Sequence, residues 1–122
     1  MSENKEYISY TDDKGSVNIS SEVIATIAAS TALEVEGVAG LAMNVRDLNT
    51  VAGKKQISRS VKIKLEDDIV RADINIAVDM GYAVTDVAAA VQKAVKSVIE
   101  STVALKTSEV NVNVVEVNLK NA

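Results

Sequence analysis

VKIKLEDDIVRADINIAVD, residues 61–79, is the stretch from which the rest of this 122-residue chain can be read. Val61, Ile63 and Leu65 alternate with Lys62 and Lys64, and Val70, Ala72, Ile74, Ile76 and Val78 alternate with Arg71, Asp73, Asn75 and Asp79. A period of two puts the apolar set on one face of a strand and the polar set on the other. Glu66-Asp67-Asp68 supplies a polar turn, so the stretch predicts an antiparallel hairpin with one face on a core. Pairing Leu65 with Val70 sets Lys62 opposite Asp73, which is favourable. It also sets Lys64 opposite Arg71, which is tolerable only if that face is wet or meets anions.

Upstream, Ser16-Val17-Asn18-Ile19 alternates in the same way, and Ser20 or Ser21 can cap a following helix by accepting from its unpaired first-turn N–H groups. Ile24, Ile27, Ala28, Thr31 and Val35 give that helix a one-sided stripe, with Gly37 as its candidate C-cap. Leu41–Val45 has the composition of a short strand. Residues 46–60 read as a connection with room for one helical turn and a bend at Gly53. Residues 1–15 are polar and read as a flexible arm, within which Tyr7–Tyr10 can pair as a short edge strand.

Downstream, Gly81 breaks the long strand and Thr85 can cap a second helix. Its stripe is Val84, Val87, Ala88, Val91, Ala94, Val95, Val98, Thr102 and Leu105. Val110, Val112 and Val114 then alternate with Glu109, Asn111 and Asn113, after which Val115, Val117 and Leu119 continue one residue out of step. A one-residue slip turns a strand inside out, so a β-bulge is expected near Val114-Val115. Residues 16–120 thus form one α+β domain in the order β-α-β-β-α-β. The expected architecture is a two-layer sandwich, with two helices packed on one face of a mixed or antiparallel sheet and a ferredoxin-like arrangement as the simplest topology.

The chain contains no Phe, Trp, Pro, Cys or His, so its core must be built from Val, Ile, Leu and Ala. Lacking His and Cys, it has neither the usual bases and thiolates of neutral-pH catalysis nor ligands for a His/Cys zinc site. Asp12-Asp13 and Asp67-Asp68 lack the alternating oxygen spacing of a calcium loop and read as turns. Gly37-Val38-Ala39-Gly40 follows a helix rather than opening one, which suits a turn better than a phosphate cradle. No catalytic residue, cofactor or metal is expected. Strands without aromatics from Ser16 onward and a net charge of −4 argue against nucleic acid. No secretory signal or membrane-spanning run is visible, so the reading is a cytoplasmic protein without direct membrane insertion.

Charge is unevenly spread. Arg46, Lys54, Lys55, Arg59, Lys62 and Lys64 face a single acid, Asp47, within residues 46–64, in a chain that is acidic elsewhere. The segment is either a solvated surface or a docking site for an acidic partner, such as the acidic remainder of another copy.

Gly15-Ser16-Val17-Asn18-Ile19-Ser20, Val23-Ile24, Glu34-Val35-Glu36-Gly37-Val38, Gly53-Lys54-Lys55, Val61-Lys62-Ile63, Val78-Asp79-Met80-Gly81, Val87-Ala88 through Ile99-Glu100 and Val110-Asn111-Val112-Asn113-Val114 follow one another over residues 15–119. In that order they resemble the bacterial alkaline shock protein family of envelope stress response proteins. This chain has Thr102-Val103-Ala104-Leu105 where the family has a Thr-Gly-Leu-like turn, and Met80-Gly81 where it tends to have Tyr-Gly. The resemblance implies a cytoplasmic protein of Gram-positive-type bacteria without known enzymatic activity. Some relatives look like self-associating scaffolds held at the inner face of the membrane by a small anchor protein; others look like regulators of metabolism, including fatty-acid synthesis. The expectation is therefore a non-enzymatic scaffold or adaptor for cell-envelope stress homeostasis, acting as a homo-oligomer with a membrane-anchored protein partner. The alternative is a regulator that binds a soluble metabolic enzyme.

Overall fold

The computed structural model describes residues 7–41, 51–66, 69–103 and 107–119. In chain order its elements are β1 (Tyr7–Asp12), β2 (Gly15–Ser20), α1 (Ser21–Leu33), β3 (Val38–Leu41), α2 (Val51–Ser60), β4 (Val61–Glu66), β5 (Ile69–Asp79), α3 (Val84–Val103) and β6 (Thr107–Asn118). The class is α+β with a mixed main sheet, as the sequence implies.

β5 is the spine of that sheet. β4 pairs antiparallel with its first half in the expected register, Leu65 opposite Val70, Lys62 opposite Asp73 and Lys64 opposite Arg71. β3 pairs antiparallel with the second half of β5, Val38 opposite Val78 and Leu41 opposite Ile76. β3 and β4 therefore follow one another in a row along the same edge. β6 runs parallel to β5 along the other edge, from Val70–Thr107 to Asp79–Asn118. Its register steps between Ile76–Val114 and Ala77–Glu116, leaving Val115 as the additional residue. This is the bulge the sequence predicts, and it restores the phase by bringing Val117 level with Val78.

α1 and α3 cover one face of the sheet. α3 presents Val87, Val91, Val95, Ile99 and Val103, a strict four-residue spacing, and all five are buried. α1 buries Ile24, Ala25, Ala28, Ala29 and Ala32. Alanine at four of those positions brings the α1 backbone close to its neighbours, the compensation available to a core without large aromatics. Val70, Ala72, Ile74, Ile76 and Val78 complete the core from β5, each fully buried.

Several boundaries differ from the sequence reading. The division between a flexible arm at 1–15 and a domain at 16–120 falls at the turn of an antiparallel hairpin, because β1 pairs with β2 from Tyr7–Ser20 to Asp12–Gly15. Ile8 on β1 belongs to the buried core. This hairpin forms its own two-stranded sheet. A ferredoxin-like arrangement needs the strand at 16–20 within the main sheet, and both edges of β5 are already taken. α1 is capped by Ser20, whose Oγ accepts from the Val23 amide at 3.3 Å, but it ends at Glu34 rather than Gly37. The strand expected at 41–45 is Val38–Leu41, and residues 42–45 lie outside the described segments. α3 begins at Val84, so Thr85 sits in its first turn rather than at the cap.

A third helix, α2, replaces the connection expected before β4 and carries Gly53 in its first turn instead of at a bend. Among its residues with described side chains, those facing inward are Gln56, Ile57 and Ser60. Two of those three are polar, so the buried face does not read as an apolar stripe.

Gly37 performs a different task from helix capping. It has φ +96°, and a Cβ there would lie 2.7 Å from Val87 Cγ2 and 2.9 Å from Tyr82 Cδ2. Gly37→Ala combines a left-handed backbone with overpacking, so it should destabilise the fold by roughly 2–4 kcal/mol, read from the denaturation midpoint. Deletion of Val115 should instead be tolerated to within about 1 kcal/mol, because removing the bulge leaves an in-phase strand; thermal unfolding of the shortened chain checks this.

Candidate protein-interaction site

The polar residues of β5 and its neighbours form the face of the sheet opposite α1 and α3. Asn111 donates from Nδ2 to Asp73 Oδ1 and to Glu109 Oε2, both at 2.8 Å. Asn113 donates to Asn75 Oδ1 at 2.9 Å, and Asn118 to Asp79 Oδ1 at 3.4 Å. The cross-strand amides thus form a ladder along β5 and β6. Arg71 avoids its like-charged neighbour Lys64 by turning its guanidinium to Glu66 at 3.2 Å and Glu109 at 3.6 Å. These side chains are about half exposed, where such pairs contribute at most about 1 kcal/mol each. The face is wet and its Arg71 charge is locally balanced.

The basic segment divides between two elements. Lys54, Lys55 and Arg59 lie exposed on α2, and the spacing of Lys55 and Arg59 puts those two on one helical face. Lys62 and Lys64 lie exposed on the polar face of β4, with Lys62 Nζ donating to the Ser58 carbonyl at 3.3 Å. Arg46 falls outside the described residues. The structure thus brings Lys54, Lys55 and Arg59 together on one short helix and sets Lys62 and Lys64 on the adjoining strand.

An acidic groove that sequence reading missed opens where the end of α1 meets the start of α3. It is lined by Val35, Glu36, Tyr82, Ala83, Asp86, Val87 and Ala90, with a volume of about 380 Å³. Its walls are mainly apolar, its charged lining residues are both carboxylates, and the Tyr82 hydroxyl reaches Glu36 Oε2 at 3.4 Å. Gly37 lies beneath Tyr82 and Val87, which is why a side chain there would disturb the groove. The available signal was Tyr82, an aromatic beside a glycine in a chain with three aromatics. Nothing local, however, connects it to Glu36. Among the described residues, no group of three or more His, Cys, Asp or Glu side chains is placed to hold a metal ion. Likewise, no described helix is long and apolar enough to cross a membrane.

Comparison with known proteins agrees with this architecture. The chain is 33% identical over 110 residues to the uncharacterised protein YloU of Bacillus subtilis, spanning 88% of this chain and 92% of that protein. It is also 33% identical over 102 residues to YqhY of the same organism, spanning 83% and 76% respectively. Among solved structures, a variant of the MamM CTD superposes with a TM-score of 0.56 over 79% of this chain and 94% of that one. At 19% identity that likeness is one of fold. A family model described by a cell envelope-related function matches residues 9–119, and with the two Bacillus relatives it shows that this chain belongs to the alkaline shock protein 23 family.

Proposed function

We propose that this protein is a non-enzymatic adaptor of the cell envelope, which self-associates and engages a membrane-anchored protein partner. The observation that carries the reading is the separation of charge on its surface. Exposed lysines and an arginine stand on α2 and β4, while the groove between α1 and α3 is lined by carboxylates and, among the described residues, by no basic side chain. Surfaces of opposite sign on one chain favour oriented contact between proteins, and their attraction steers encounter and fixes register. The family's envelope-related function supplies the setting.

Two measurements test this. Affinity capture of the tagged protein from cross-linked cells, with membrane and soluble fractions separated, should recover it mainly with membranes and with an integral membrane protein. Recovery from the soluble fraction with a single metabolic enzyme would replace the adaptor by a regulator. In sedimentation velocity, self-association should weaken as salt rises from about 0.1 M to 1 M, since the screening length falls from about 10 Å to about 3 Å. Assembly indifferent to salt would count against charge as its basis.

A further inference from the structure

The groove has the chemistry of a receptor for a long cationic side chain. Val35, Ala83, Val87 and Ala90 offer apolar walls to a methylene stem, Tyr82 offers an aromatic ring, and Glu36 and Asp86 offer carboxylates to a terminal charge. Two such side chains follow one another on α2. Lys54 and Lys55 are exposed, do not line the groove of their own chain, and form no ion pair among the described residues. The inward side of that helix is held by Gln56, Ile57 and Ser60, so its lysines are presented on an anchored element.

We propose that the Glu36–Tyr82–Asp86 groove receives the α2 lysines, Lys54 and Lys55, of a second copy of this chain, joining copies head to tail. The inference rests on the self-association proposed above and assigns it a contact. Charge complementarity favours this occupant: the groove is acidic, Arg59, Lys62 and Lys64 stand on or beside the same helix as Lys54 and Lys55, whereas the exposed Lys14 and Lys93 stand singly, and the two surfaces come from different elements. Because the donor patch differs from the acceptor patch, a pair of copies keeps one free groove and one free lysine patch. Such a heterologous contact continues into a ring or an open filament instead of stopping at a two-fold dimer.

The test uses two variants of the full chain that neutralise one side each, Glu36→Gln with Asp86→Asn, and Lys54→Gln with Lys55→Gln. Glutamine at 36 keeps an acceptor for the Tyr82 hydroxyl, and the single variant Asp86→Asn serves as a milder version should the double one unfold. Sedimentation velocity and light scattering at low salt should show association of each variant alone weakened at least tenfold, with an unchanged cooperative melt. Mixed in equal amounts, the two should form a dimer and nothing larger, because one supplies the intact groove and the other the intact lysines. Wild-type assembly by either double variant would overturn this contact and leave self-association standing on other surfaces. Failure of the mixture to dimerise would overturn the head-to-tail arrangement. A wild-type chain that stays monomeric throughout would sink both this contact and the self-association on which it rests.

Discussion

β5 makes main-chain pairs along both of its edges while burying one complete face, and the rest of the molecule is arranged around that double demand. Every second residue from Val70 to Val78 is fully enclosed. Burying a Val or Ile side chain is worth roughly 1.5–3 kcal/mol, but only if the peptide groups that accompany it find partners. β3 and β4 satisfy one edge in succession and β6 satisfies the other. α1 and α3 can then close over the apolar face with small side chains, because the surface beneath them is regular.

The same regularity governs the polar face. Once the apolar set is buried, Arg71, Asp73, Asn75 and Asp79 have no choice of side. Their partners on β4 and β6 are then determined by register. The repulsion between Lys64 and Arg71 is answered within the sheet by Glu66 and Glu109, and the amide ladder from Asn111 to Asn118 supplies donors to the β5 acids. That face pairs largely with itself, and Lys54 and Lys55 on α2 stand apart from it.

What was legible in the sequence follows the same division. The 61–79 hairpin and its register could be read residue by residue, because strand alternation ties each apolar residue to a face and the turn length fixes the pairing. The bulge at Val115 was legible as a break in that alternation. β1 reads only as an edge strand within an otherwise flexible arm, since its alternation is short: Ile8 alone is fully buried, and Tyr10 packs against the core only in part. α2 escaped because Gln56 and Ser60 are buried without being apolar. Lys62 and Lys64 could be placed on a strand from the alternation, but the full helix that carries Lys54, Lys55 and Arg59 could not. The groove was invisible for a different reason: Glu36 and Asp86 line one groove because Gly37 allows the segment after α1 to settle against Tyr82 and Val87.

The collinearity of β3 and β4 has an evolutionary side. Leu41 and Val61 sit opposite Ile76 and Ile74, so the chain leaves the sheet edge and rejoins it at almost the same place. Everything between is an excursion from one nearly continuous strand. Loops that depart and return at neighbouring points can change length at little entropic cost. Here Gln56, Ile57 and Ser60 tie one side of α2 to the interior, while Lys54, Lys55 and Arg59 on its other side are exposed. Lineages descending from a common ancestor could therefore rewrite the outward charges of this segment while inheriting the same sheet unchanged.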